Sequence, residues 1–206
     1  MRPLELLAPA KNLETGIAAI EHGADAIYIG AEQLGARSAA GNSVEDIAQL
    51  CQYAKQFGVK VYVTLNVIVY EHEIDYCQKL ITQLYEAGVD ALIVQDMGVL
   101  KMDIPPIELH ASTQTDNRTA DKVSLLKSLG FARVVLAREL SLDAIKAIHK
   151  EEPDVELEVF VHGALCVSYS GVCYVSQHSF GRSANRGECA QFCRMSFDLI
   201  DSDDRE

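Results

Sequence analysis

Short, uninterrupted apolar runs recur along this chain, each set just after a glycine. They are Gly23-Ala-Asp-Ala-Ile-Tyr-Ile-Gly30, Gly58-Val-Lys-Val-Tyr-Val-Thr-Leu-Asn66, Gly88-Val-Asp-Ala-Leu-Ile-Val-Gln95 and Gly130-Phe-Ala-Arg-Val-Val-Leu-Ala137. The leading glycines stand 35, 30 and 42 residues apart, about the length of one βα unit. Runs this short and apolar on both faces suit parallel strands covered on both sides. Helical patterns fill the spaces. Residues 12–22 carry Leu13, Ile17, Ala18 and Ile20; residues 43–57 open on Ser43 with Asp46 three positions on; residues 72–87 carry Ile74, Cys77, Ile81 and Leu84; Ser141 caps a further pattern to Ile148. With Leu4–Ala8, Ile107–Ala111 and Leu157–Val161 added, seven strands alternate with six connectors, which predicts an α/β fold.

A doubly wound sheet and a (β/α)8 TIM-barrel-like domain both fit that alternation, and we favour the barrel. Small or polar residues follow each strand: Pro9-Ala10, Gly30, Asn66, Gln95-Asp96, Ser112-Thr113-Gln114, Arg138-Glu139 and His162-Gly163. In a barrel these strand ends form one mouth, where active sites sit. Seven strands leave an eight-stranded barrel incomplete, unless Met195–Asp201 supplies the last.

Charge and composition narrow the function. The balance of 18 basic against 30 acidic residues gives −12, so the chain as a whole lacks the basic footprint of a nucleic-acid binder. One local exception is Arg182, Arg186 and Arg194 against Glu188, interleaved with His178, Phe180 and Phe192; arginines among aromatics can hold phosphate and stack bases. No apolar run approaches the ~18–20 residues of a membrane span. The opening Met1-Arg2-Pro3 lacks a signal-peptide layout, so the expected compartment is the cytoplasm. There, cysteines read as thiols or metal ligands before disulfides.

The six cysteines are unevenly placed. Cys51 and Cys77 sit in helical patterns as small buried hydrophobes. Cys166, Cys173, Cys189 and Cys193 fall within 28 residues, with gaps of 6, 15 and 3. This divides the chain into a barrel-like domain, residues 1–163, and a cysteine-rich segment, 164–206, expected to pack on the barrel mouth. Four thiolates in a loop-rich segment suit an iron–sulfur cluster or zinc, and the residues alone leave cluster, zinc and free thiols open. His162, four positions before Cys166, invites a Cys–His nucleophile pair. The chain has neither an H-E-x-x-H zinc motif nor a G-x-S-x-G elbow.

Glu158, Phe160, Gly163, Ala164, Leu165, Cys166, Gly171, Cys173, Val175 and Ser176 stand at the spacing of a long family signature. Over these positions, and over Gly181-Arg-Ser-Ala-Asn-Arg-Gly-Glu-Cys189-Ala-Gln-Phe-Cys193, the chain resembles peptidase family U32, the collagenase-like proteases. Leu7-Ala-Pro-Ala-Lys-Asn12, Ala36-Arg37 and Ala39-Ala-Gly-Asn-Ser43 resemble the family's opening, so the likeness covers nearly the whole chain. It implies an N-terminal fragment of a longer protein.

The better understood relatives are oxygen-independent hydroxylation proteins acting on tRNA, ribosomal RNA or a quinone ring. The resemblance therefore implies hydroxylation of a pyrimidine in RNA, with peptidase activity, quinone-precursor hydroxylation or a non-catalytic cluster module as alternatives. It implies a 4Fe–4S cluster on Cys166, Cys173 and Cys189, the fourth ligand being Cys193 or a residue past Glu206. In this fragment the site is expected to be filled by the cluster, filled by zinc, or empty. It also implies a pocket of Arg37, Asn42, Asn66, Gln114, Arg138 and His162, with prephenate, a dicarboxylate, as oxygen source and arginine the residue type to grip it. No catalytic residue and no oligomeric state follow from it.

Overall fold

The computed structural model describes residues 4–35, 41–163 and 166–198. Seven parallel strands pair in strict sequential order: β1 (Leu7–Ala10), β2 (Ala26–Gly30), β3 (Lys60–Leu65), β4 (Ala91–Val94), β5 (Glu108–Ala111), β6 (Arg133–Val135) and β7 (Glu156–Glu158). Helices α1 (Leu13–Glu21), α2 (Val44–Phe57), α3 (Ile74–Glu86), α4 (Ala120–Ser128) and α5 (Leu142–Glu151) occupy connections between them, and the short α6 (Val175–Phe180) follows β7. Sequential parallel order is the barrel's topology; a doubly wound sheet would reverse its strand order midway. Among the described residues β1 and β7 each pair on one side only, so the barrel is open between them.

Strand bounds differ from expectation at the two open edges. The first strand is Leu7–Ala10 in place of Leu4–Ala8, and the last is Glu156–Glu158 in place of Leu157–Val161. Apolar letters misled there: Leu4 is 96% and Val161 85% exposed, because neither lies under a helix nor beside another strand. The fifth strand begins at Glu108, one residue later than expected. Residues 195–198 form no strand, and 199–201 lie outside the described residues. Helix α4 was not expected, and only Val123 and Leu126 of its face are buried.

Two apolar layers hold the fold. Outside the sheet, Ile27, Ile29, Val61, Val63, Leu92 and Val94 pack beneath Ile47, Leu50, Cys77, Ile81 and Leu84 of the helices, all buried. At roughly 1.5–3 kcal/mol per buried aliphatic side chain, this layer is the main source of stability. Cys51 and Cys77 belong to it as expected, and burial pushes their thiols up to about 12 and about 11, so neither is a reactive thiolate. Inside the barrel, small Ala26 and Ala91 make room for Tyr62 and Ile93. Helix ends follow the predicted caps: Ser43 Oγ accepts from the Asp46 amide, and α2 stops at Gly58 with φ +69, a conformation costly for any residue with a Cβ.

The lower bore is charged. Arg133, 9% exposed in its side chain, pairs with Glu5 at 2.5 Å, Glu156 at 2.8 Å and Glu158 at 3.6 Å. Tyr62 Oη donates to both Glu5 carboxylate oxygens at 3.0 and 3.1 Å. Fully buried His110 meets Glu108 at 2.7 Å and stands edge-on to Tyr62, ring centroids 4.8 Å apart. Burial holds the His110 pKa below its ordinary value, although the Glu108 bond works the other way. Burial also raises the Glu158 carboxyl to about 7, with Arg133 only partly offsetting it. The network joins the approach to β1 to β6 and β7, across the side where strand pairing is absent.

Candidate active site at the barrel mouth

The C-terminal strand ends gather a polar cluster. Asn66, after β3, donates its Nδ2 to Ser112 Oγ at 3.3 Å, and that hydroxyl also accepts from the Gln114 amide at 3.2 Å. Gln95, after β4, donates its Nε2 to the Gln114 carbonyl at 3.4 Å. Asn66, Gln95, Ser112 and Gln114 thus meet from the ends of β3, β4 and β5. The Gln95 Oε1 atom is buried with no hydrogen-bond partner. The β5 and β6 ends are locked together by fully buried Asn117, whose Nδ2 donates to the Ser112 and Val135 carbonyls at 2.9 and 2.8 Å.

Arg138, after β6, is half-buried with its guanidinium 5.6 Å from the centre of the Phe160 ring. Its Nε is buried without a partner, and no carboxylate pairs with it among the described residues. An arginine held this way is a ready receptor for an anion or a carboxylate. His162 lies exposed in the loop after β7. Asn42 is occupied elsewhere: its Nδ2 donates to the Lys11 and Gly30 carbonyls at 3.0 and 2.9 Å, tying the loop to the ends of β1 and β2. Arg37 lies outside the described residues.

The chain beyond β7 returns to these strand ends in three places. Ser170, 1% exposed, donates its amide and hydroxyl to the Glu139 carboxylate at 3.0 and 2.9 Å. Burial opposes that charge, but the Ser170 bonds outweigh it and hold the Glu139 carboxyl below its ordinary value. Gly171, at φ +79, lies so close to Gln114 that a Cβ would stand 2.0 Å from its carbonyl oxygen. Arg186 pairs with Glu73 at 2.5 and 2.9 Å, donates to the Ile68 carbonyl and lies 4.4 Å from the Tyr70 ring centre. Arg186 is therefore a clamp on the loop after β3. Phe192 packs tilted against Phe180 at 5.8 Å and edge-on against Phe197 at 4.9 Å, which uses the aromatics Phe180 and Phe192 expected to interleave with it.

The four clustered cysteines have the donor chemistry of a soft-metal site, since all are free thiols. Cys166 and Cys173 are half-buried, Cys189 and Cys193 exposed. The described residues do not gather three of them, or any three Cys, His, Asp or Glu side chains, into a metal-binding group. Among the described residues no hydrogen bond joins His162 to Cys166, the pairing on which a cysteine-peptidase reading would rest. Among the described residues no helix is long and apolar enough to cross a membrane.

Asp116, Arg118, Tyr169 and Ser170 carried no usable signal in the sequence. Arg118 pairs with Asp116 at 2.6 Å and lies 4.7 Å from the Tyr169 ring centre, a meeting of positions 51 residues apart. Glu139 and Ser170 meet across 31 positions.

Comparison with known proteins agrees with this architecture. A solved U32 peptidase superposes with a TM-score of 0.64 over 77% of this chain and 69% of its own, at 16% identity, a likeness of fold. The 23S rRNA 5-hydroxycytidine C2501 synthase of Escherichia coli (strain K12) is 56% identical over 98% of this chain and 31% of its own length. The tRNA hydroxylation protein P1 of Bacillus subtilis (strain 168) is 41% identical over 97% of this chain and 48% of its own. The chain thus spans between about a third and a half of these relatives. The family model for peptidase family U32 matches residues 11–206, and the chain belongs to that family.

Proposed function

We propose that the protein is an enzyme hydroxylating a pyrimidine base in RNA at the barrel mouth, without molecular oxygen. The observation that carries this reading is the 56% identity, across nearly the whole chain, to a relative named for making 5-hydroxycytidine in ribosomal RNA. The mouth supports it. Asn66, Gln95 and Gln114 offer amides to a polar heterocycle, while half-buried Arg138, which pairs with no carboxylate among the described residues, offers its guanidinium to an anionic group of the substrate. His162 and Arg37 belong to the same proposed pocket by their place in the sequence. The peptidase alternative has no formed nucleophile–base pair to support it.

The test is RNA mass spectrometry on a host from which the full-length gene has been deleted. One hydroxypyrimidine should vanish and return with a wild-type copy, while an Arg138→Gln copy should restore little of it. Unchanged RNA in the deletion host would remove the proposal.

The cysteines are proposed as iron–sulfur ligands on donor chemistry alone, and loading would require residues 166–193 to close together. Anaerobically purified full-length protein should then be brown, absorbing broadly near ~400 nm, and should bleach in air. Cys166→Ala, Cys173→Ala and Cys189→Ala should each lose the iron, while Cys51→Ala should keep it. Retention of iron in Cys193→Ala would give the fourth place to another residue. Colourless protein with stoichiometric zinc would replace the cluster by a structural zinc site.

A further inference from the structure

Arginine is distributed unevenly over this acidic chain. Of the six arginines described, only Arg133 lies in the lower bore; Arg118, Arg138, Arg182, Arg186 and Arg194 all follow strand ends or lie in the chain beyond β7. Arg186 is consumed by Glu73, and Arg194 reaches the Gln191 side chain at 3.4 Å. Two others are laid on aromatic rings that remain open to solvent: Arg118 on Tyr169, whose exposure is 61%, and Arg138 on Phe160, whose exposure is 45%. Tyr174, at 59%, is a further exposed ring in the same segment. Rings presented beside arginines in this way offer faces on which a base can stack.

We infer that Phe160 and Tyr169, with Arg138 and Arg118, form a docking face for an unpaired stretch of RNA, which takes its bases on the rings and a phosphate on Arg138. This rests on the RNA reading above and specifies how the substrate is held. The two cations have different tasks. Arg118 is already neutralised by Asp116, so it fixes the Tyr169 ring rather than a phosphate. Arg138 has no such partner and is the phosphate contact. A duplex hides its base faces and would meet this chain mainly through charge, of which it has −12 in total. Stacking needs unpaired bases, so a single strand is the RNA that fits.

The experiment is binding of a fluorescent, unstructured pyrimidine-rich oligoribonucleotide to the full-length protein across a salt series. Tyr169→Leu should weaken binding about fivefold or more with an unchanged salt slope, and Tyr169→Phe should restore it. Arg138→Gln should weaken binding and lower the slope of log K against log salt by about 0.7, the loss of one phosphate contact. Arg118→Gln should follow Tyr169→Leu, with its slope unchanged. Lys146→Gln, on the exposed face of α5, should match wild type. Affinity unchanged in both Tyr169→Leu and Arg138→Gln would overturn the docking face and leave these rings to a protein partner. Equal affinity for a matched duplex would overturn the single-strand assignment. If the deletion host still loses its hydroxypyrimidine while these variants bind normally, the functional reading survives and the docking face alone fails.

Discussion

Gly171→Ala should detach the chain beyond β7 from the barrel mouth while leaving the barrel folded. The new methyl would stand 2.0 Å from the Gln114 carbonyl oxygen and 2.6 Å from its carbon, both backbone atoms that no rotamer change can move aside. The φ of +79 adds the left-handed penalty of about 1–2 kcal/mol for a residue with a Cβ. Overpacking adds typically another 1–3 kcal/mol, so about 2–5 kcal/mol of docking free energy is at stake. Limited proteolysis should show it: cleavage between residues 166 and 198 should accelerate by at least tenfold, while a core of residues 4–163 persists. The Gln114 carbonyl is also the acceptor for Gln95, so the hydroxylation proposed above should fall with docking. A variant with wild-type proteolysis would mean that the contact relaxes at little cost.

Arg133→Met should be the most destabilising single change in the bore, by about 3–5 kcal/mol at neutral pH, because it leaves the largely buried Glu158 carboxylate, and the more exposed Glu5 and Glu156, without their counter-charge. Denaturant unfolding across pH reads both the size and the cause. Glu158 carries a carboxyl raised to about 7 in the folded protein, against 4.5 as its ordinary value. Between those values the folded state holds a proton that the unfolded state has released. Stability from this group is therefore present below about pH 4.5, declines as pH rises to about 7, and is flat beyond, by at most about 3 kcal/mol. Glu158→Gln should remove that decline and make the protein more stable than wild type at pH 8. Glu5 acts in the opposite sense: burial opposes its charge, yet Arg133 and Tyr62 hold its carboxyl low, so its contribution is lost in acid. If Arg133→Met cost as much at pH 4 as at pH 8, the charge argument would be wrong and packing would be the cause.

The glycine-led apolar runs announced four of the seven strands because each begins where a helix has just stopped and is buried on both faces. The edges were harder to read. Leu4, Leu6, Val159 and Val161 have the letters of a strand but are exposed, since burial at an edge depends on what lies beside it. Helix α4 escaped because Leu125, at 52% exposure, breaks the stripe made by Val123 and Leu126. At the mouth, Asn66 and Gln114, both singled out by strand-end position, meet through Ser112. Position in the sequence could not show that Asn42 spends its amide on two carbonyls, or that Arg186 clamps Glu73 113 residues away. The bore network was invisible for the same reason. Glu108, Arg133, Glu156 and Glu158 occupy strand positions that resemble solvent-facing ones until the sheet curves and brings Glu5 to Arg133 across 128 residues.

The sequential order of the strands has a consequence for how the fold assembles. Each described strand pairs only with its neighbours in sequence, so every step of sheet growth closes a short loop of chain. The Arg133–Glu5 pair is of another kind, joining positions 128 residues apart. Strand-by-strand growth of the sheet should therefore run ahead of the charged bore during refolding, and the bore should be among the late contacts to form.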